Sequence, residues 1–281
     1  MWNGLRNIGL TISRMKIERL SFRDNGSAFA FTAGRGGVDA NDSYSGFNCC
    51  GYVGDSPRHV ASCREELCRG IGLPAGRLIT ARQVHGTDVV VVGSPDCVPG
   101  EADALVTRLE DVAVGVFTAD CVPMLFYDKK AGVVGAAHAG WKGTMNGIAK
   151  NVVAAMSGLG ASAGGIQVVF GPSICQGCFE VGDEVVEQFG ERGLPLSDIV
   201  VRNKATGKAH IDLVAANVYW LRECGVMEGD MVRSGLCTRC NPSRFFSARV
   251  LGTASGRNLT AVLLKPEGGL LPVKNGCFPL E

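Results

Sequence analysis

The sequence predicts one α+β domain with mixed, largely antiparallel sheets. Three observations lead there. Strand-like and helix-like segments are intermixed along all 281 residues, with no fixed-period repeat, low-complexity segment or Pro/Ser-rich linker. Hydrophobic residues make up 46% of the chain, enough for one substantial core. Two apolar runs, 122–127 and 132–137, are separated only by Asp128-Lys129-Lys130-Ala131, which reads as a β-hairpin rather than a βαβ unit.

The elements follow in chain order. Residues 1–18 are expected to form a poorly ordered N-terminal extension, with Met15 as an alternative start, and 19–281 a single domain. Residues 27–33 (SAFAFTA) form a strand that leads into the turn Gly34-Arg35-Gly36-Gly37. A polar, irregular stretch to Asp55 contains Asn48-Cys49-Cys50-Gly51. Ser56-Pro57 opens a helix, with serine as N-cap and proline at the first helical position. Val60, Cys63, Cys68 and Ile71 give it an apolar stripe, and Gly70 or Gly72 ends it. Residues 77–84 and 88–92 are strands joined through His85-Gly86-Thr87, and 112–117 is a strand before the hairpin. Residues 143–156 read as one helix, with Ile148, Val152 and Met156 four apart. Residues 166–170 form a strand running into Gly171-Pro172-Ser173-Ile174-Cys175-Gln176-Gly177-Cys178, a turn-rich loop. Residues 183–192 form a short helix, and Asp212 caps another that ends at Gly225, with Leu213, Trp220 and Leu221 on one face. Residues 259–264 form a late strand.

Composition removes several classes. A net charge of +1 gives no electrostatic case for nucleic acid or an anionic membrane. No apolar run approaches the roughly 20 residues that span a bilayer, and the first residues lack the apolar core of a signal peptide. Twelve cysteines in a chain of this length, without a leader, read as reduced thiols in a cytoplasmic protein.

The hairpin focuses attention on a thiol and an imidazole. If Tyr127 pairs with Gly132, Cys121 falls opposite His138, and residues directly opposite in an antiparallel pair project to one face. With His85 they would offer three good zinc ligands, leaving a fourth position open. The same Cys–His pair would equally serve as nucleophile and base, with Asp120 orienting the site. Spacing alone does not separate these readings, nor does it place His85 beside the pair. The turns Cys175-x-x-Cys178 and Cys237-x-x-Cys240 are too far apart for a zinc ribbon, so two separate cysteine-containing turns are expected rather than a four-thiolate site. Arg35, Arg82, Lys142, Arg249 and Arg257 lie in Gly-rich surroundings and would bind an anion such as phosphate wherever they face the cluster. Trp141 could stack on a planar ligand. The chain has no Walker loop and no GxGxxG, so neither a nucleoside triphosphate nor a dinucleotide is supported.

Ordered motifs carry a family resemblance. Gln83-Val84-His85-Gly86, Thr118-Ala119-Asp120-Cys121-Val122-Pro123 and Ala137-His138-Ala139-Gly140-Trp141-Lys142-Gly143-Thr144 resemble those of the YfiH-like, laccase-domain family. Further similarities run from Arg35-Gly36-Gly37-Val38 and Val53-Gly54-Asp55 to Gly171-Pro172-Ser173-Ile174, Phe179-Glu180-Val181-Gly182, Cys237-Thr238, Phe245-Phe246-Ser247 with Arg249, and Gly256-Arg257. The resemblance covers roughly residues 27–264. It implies a metal site of His85, Cys121 and His138, holding Zn2+ in preference to copper. It also implies an α/β sandwich similar to the catalytic domain of cytotoxic necrotizing factor. The implied activity is phosphorolysis of purine nucleosides such as adenosine and inosine, with methylthioadenosine cleavage and adenosine deamination beside it. Arg35, Asn48, Arg82 and Arg249 are the candidates for substrate or phosphate contacts. This chain departs from the family pattern at Ile174-Cys175, where Ile-Gly is frequent, and at Cys63-Arg64, where Asn-Arg is. The laccase label fits the residues poorly, since copper oxidase sites need many more than four histidines. Two other readings stand: a metal-free Cys–His amidohydrolase acting on cell-wall peptides or precursors, and a non-catalytic metal-binding protein.

Overall fold

Alternating apolar side chains on each strand dictate the layering. The computed structural model describes residues 15–37, 39 and 41–265, and the strands are β1 (Ile17–Leu20), β2 (Ala28–Ala33), β3 (Leu78–Thr80), β4 (Val89–Val92), β5 (Ala104–Thr107), β6 (Ala113–Thr118), β7 (Val122–Asp128), β8 (Val133–Ala139), β9 (Ile166–Phe170), β10 (Glu180–Val181), β11 (Val200–Arg202), β12 (Ala209–Ile211), β13 (Met231–Arg233) and β14 (Asn258–Leu264). The helices are α1 (Pro57–Ile71), α2 (Trp141–Met145), α3 (Ile148–Gly158), α4 (Asp183–Glu191), α5 (Leu196–Ile199), α6 (Leu213–Glu223) and α7 (Ala248–Leu251). One sheet runs β1-β2-β14-β6-β3 and a second runs β13-β9-β7-β8-β5-β4, with mixed parallel and antiparallel pairs; a small sheet β10-β12-β11 lies apart.

The two large sheets face each other. Leu125, Tyr127, Val134 and Ala136 of one pack on Ala30, Val114, Val116 and Val262 of the other. The intervening residues of the same strands point the opposite way. Met124, Phe126, Val106 and Ala137 meet Ile148, Val152, Met156, Ala216 and Leu221 of α3 and α6. On the far side, Phe31, Phe117, Leu259 and Ala261 meet Cys63, Leu67 and Ile71 of α1. Period-2 strands and period-3.6 helices thus give a four-layered α+β sandwich in one domain.

Several expectations are met closely. Strand 166–170 has the expected bounds, α1 starts at Pro57 with Gly72 ending it in the left-handed conformation, and the Asp212 side chain accepts from Ala215 N at 2.8 Å to cap α6. Others are corrected. The expected helix 143–156 is two helices, α2 and α3, because Gly147 adopts φ +79° between them. Asn146-Gly147 is itself a turn signal. Strand 77–84 shrinks to β3, and β3 and β4 belong to different large sheets. Most of the expected extension 1–18 lies outside the described residues, but Ile17 and Glu18 already pair with Ala33 and Thr32 in β1 and β2. No helix among the described residues is long and apolar enough to cross a membrane.

The central hairpin forms with a shifted register. Tyr127 faces Val134, and Pro123, not Cys121, faces His138. The shift is two residues, so every side chain keeps its expected face. Cys121 remains on the His138 side, one pleat beyond the last pair.

Candidate active site

Three segments converge at the open end of the hairpin. His138 closes β8, Cys121 immediately precedes β7, and His85 sits on the loop between β3 and β4. Their donor atoms lie within 4.8 Å of one another. Cys121 Sγ is 3.9 Å from His85 Nε2, and the two imidazoles meet edge to face at 4.7 Å between centroids. His138 is buried, Cys121 half-buried and His85 exposed, so one side of the cluster opens to solvent.

The residue that organises the cluster is Asp103. It extends β5 by one position and lies opposite His138, given that Ala104 pairs with Ala137. Its carboxylate is fully buried, with relative exposure 0%. Oδ1 accepts from His138 Nδ1 at 2.8 Å and from His85 N at 3.0 Å. Oδ2 accepts from Gly86 N at 2.7 Å and Val84 N at 3.2 Å. One carboxylate therefore fixes both histidine-bearing segments. It also fixes the tautomer of His138, leaving Nε2 as the free donor atom.

Asp120 does not orient the cluster as expected. Its Oδ1 accepts from Thr238 Oγ1 at 2.6 Å and its Oδ2 from Arg249 N at 2.7 Å, so it holds two loops against the turn before Cys121. His85 and Asp120 are two of the three non-glycine residues with positive φ among the described residues, at 61° and 91°. Such backbone is costly and persists only where the surroundings enforce it.

The electrostatics favour a charged pair in the metal-free protein. Burial pushes the Cys121 thiol up, but the charge and hydrogen bonds of His138 and His85 outweigh it and bring it down to about 6. Burial pushes His138 down, but Cys121 and Asp103 raise it to about 9. For Asp103, burial is outweighed by the His138 hydrogen bond and by the Gly86 N–H, leaving the carboxyl below its ordinary value.

The residues fit a metal ion. The donor set is two imidazole nitrogens and a thiolate, one histidine is backed by a carboxylate, and the space between the donors is kept clear by glycine. A Cβ on Gly140 would stand 2.7 Å from His85 Cδ2, 3.3 Å from Cys121 Sγ and 3.6 Å from His138 Cε1. Gly140→Ala is accordingly expected to push His85 away and weaken metal binding by about 10–100-fold. Competition with a chromogenic chelator measures this; unchanged affinity would mean that the cradle does not position the donors.

The four contact candidates are placed unequally. The Arg35 guanidinium is turned into loop carbonyls, donating to Ser45 O at 3.2 Å, Pro242 O at 3.3 Å and Asp42 O at 3.2 Å, and it lies over the Phe246 ring. Asn48 is buried and bonds Cys50 N, Asp55 Oδ2 and Arg257 N. Both pin the polar stretch 34–55. Arg82 is exposed and pairs with Glu101 at 3.5 Å, three residues before His85 in the chain. Arg249 is exposed, its guanidinium resting on Glu180 O and the Phe179 ring beside Asp120. Among the other cations, Arg257 bonds carbonyls of its own loop and Lys142 lies over Trp141. The remaining histidines stand elsewhere, His59 on Asp55 and His210 on Gln176 O. Asp103 was missed from sequence; its signal is a carboxylate interrupting the otherwise apolar Ala102-Asp103-Ala104-Leu105-Val106.

Fold and donor set together define a class: an α+β sandwich with a His–Cys–His centre at the open end of its central hairpin. Residues 28–265 match the family described as multi-copper polyphenol oxidoreductase laccase, and the chain belongs to that family. It is 47% identical over 261 residues to a protein of an unknown prokaryotic organism named adenosine deaminase RL5, across 89% of this chain and 100% of that one. It is 36% identical over 258 residues to a purine nucleoside phosphorylase of Bacteroides thetaiotaomicron, across 88% and 94%. Among solved structures, the hypothetical protein YfiH of Bacillus licheniformis superposes with a TM-score of 0.80 at 28% identity, covering 86% of this chain and 94% of that one.

Proposed function

We propose that this protein is a zinc-dependent enzyme that phosphorolyses adenosine and inosine, cleaves methylthioadenosine likewise, and deaminates adenosine. The observation that carries the reading is the Asp103-backed convergence of His85, Cys121 and His138. It occurs in a chain whose relatives are named adenosine deaminase and purine nucleoside phosphorylase. His85, Cys121 and His138 would hold the ion, which supplies a Lewis acid that polarises a substrate oxygen or nitrogen. Asp103 keeps the His138 Nδ1–H engaged, so Nε2 faces the centre as a lone-pair donor. Exposed Arg249 and Arg82 are the cations left to meet phosphate, and half-buried Trp141 offers a face to the purine. Phosphorolysis transfers the ribosyl carbon from the purine nitrogen to a phosphate oxygen, giving free purine and ribose 1-phosphate. Deamination replaces the purine amino group with oxygen from water and releases ammonia.

The test is purified, zinc-loaded protein incubated with adenosine, with and without phosphate, and the products identified by chromatography and mass. Adenine with ribose 1-phosphate, formed only when phosphate is present, is expected; inosine in both tubes is expected from deamination. No product in either tube would overturn the reading.

A second reading draws on the Cys121–His138 pair itself. With a thiol near 6 and an imidazole near 9, the metal-free protein holds thiolate and imidazolium together between those values. That is the activated nucleophile of a cysteine amidohydrolase, and a likeness to the cytotoxic necrotizing factor domain belongs to this reading. The sign follows from the shifts. The thiolate form gains as pH rises through about 6 and the imidazolium is lost through about 9. Alkylation of Cys121 in chelator-treated protein is therefore expected to rise with a midpoint near 6 instead of the ordinary 9, read by iodoacetamide labelling across pH. Alkylation that kills turnover persisting after zinc removal would favour the amidohydrolase.

A further inference from the structure

The two CxxC turns do meet. Cys175 and Cys178 follow β9, and Cys237 and Cys240 follow β13; β9 and β13 are parallel neighbours, Val168 facing Met231. The pairing continues past the strands through a parallel bridge between Ser173 and Cys237. Ser173 N donates to Leu236 O at 3.1 Å and Thr238 N to Ser173 O at 3.1 Å. The two loops are thereby held in register, and the turns coincide although 62 residues separate Cys175 from Cys237 and Cys178 from Cys240. The sequence separation that argued against a zinc ribbon is bridged by the sheet.

All four Sγ atoms lie within 4.8 Å of one another. Cys178 and Cys240 Sγ are 3.5 Å apart, far outside the ~2.05 Å of a disulfide. Four thiolates around zinc at ~2.3 Å have sulfur–sulfur edges of ~3.8 Å, within the same range. Cys175 N donates to Cys237 Sγ at 3.3 Å, the kind of outer bond that supports a ligating thiolate. Cys175 and Cys240 are exposed, so core packing does not account for them.

We propose that Cys175, Cys178, Cys237 and Cys240 form a structural zinc site, separate from the His–Cys–His centre, that staples the loops after β9 and β13. A single ion suits the short sulfur–sulfur distances; an iron–sulfur cluster spreads its cysteines wider. The staple lies beside the active-site frame. Ile174 N donates to Asp120 O at 2.9 Å and Thr238 Oγ1 to Asp120 Oδ1 at 2.6 Å, so both stapled loops grip the residue before Cys121.

Metal analysis of the full chain, purified without oxygen and dialysed, tests this independently of any nucleoside activity. The His85→Ala/Cys121→Ala variant is expected to retain one zinc per chain. The Cys178→Ser/Cys240→Ser variant should hold one equivalent fewer than the unaltered protein. If that variant fails to fold, cobalt substitution of His85→Ala/Cys121→Ala decides: intense thiolate-to-cobalt charge transfer with tetrahedral d–d bands is expected. A His85→Ala/Cys121→Ala protein with no bound zinc and no such spectrum would overturn the proposal. Iron with acid-labile sulfide in place of zinc would overturn it equally.

Discussion

Replacing Cys121 with alanine is expected to cut turnover of adenosine by roughly 10³-fold or more while leaving a folded protein. The magnitude follows from the chemistry assigned to the centre. A Lewis acid contributes several kcal/mol to a transition state, and about 4 kcal/mol corresponds to about 10³ in rate. Alanine removes the only anionic donor of the three, leaving two imidazoles, one of them exposed. Folding should survive, because Cys121 is half-buried and belongs to none of the three apolar clusters. Zinc content, circular dichroism and kcat/KM measured on one preparation separate the outcomes. A folded variant with full activity would sink both the zinc reading and the amidohydrolase reading, since each depends on this sulfur.

Asp103→Asn is expected to lower stability by about 3 kcal/mol, within the range for breaking a buried charge pair. In a chain of this size that is a fall in Tm of roughly 6–12 °C. The isosteric amide keeps one acceptor oxygen, but its NH2 must face backbone N–H donors that now point at Oδ1 or Oδ2. It also releases the His138 tautomer, so zinc affinity and turnover should each fall about 10–100-fold. The affinity readout separates positioning from mere destabilisation when it is taken well below Tm. The pH dependence carries a sign. The folded carboxyl lies below its ordinary 3.8, so its contribution is present above that value and is lost as pH falls through the folded value. The stability advantage over the asparagine variant should be full between about pH 5 and 6.5, decline as pH rises from there through about 9, where His138 loses its proton, and shrink under acid; an advantage unchanged to pH 2 would contradict the assignment.

Much of this molecule was determined by sequence alone. Strand 166–170, the Ser56-Pro57 helix start, the Asp212 cap and the two arms of the central hairpin are written in local patterns, because periodicity and capping act within a few residues. The pairing of a thiol with an imidazole at the hairpin end was legible for the same reason. Even the two-residue error in register kept both on one face. Family motifs, not spacing, brought His85 to them.

Tertiary structure alone decided the rest. Asp103 reads in sequence as one carboxylate at the start of an apolar strand; only the pairing of β5 with β8 sets it against His138. The charge of Arg35 and the polarity of Asn48 are visible in sequence, whereas the carbonyls and side chains they bond come from distant loops. The two CxxC turns looked too far apart because chain distance was the only measure to hand; the parallel β9–β13 pair makes them neighbours. Local conformation is set by neighbours in the chain, but a site is set by neighbours in space. Strand pairing across 35 residues between Asp103 and His138, or 62 between the cysteine turns, is fixed by burial of both sheet faces, which no local pattern encodes.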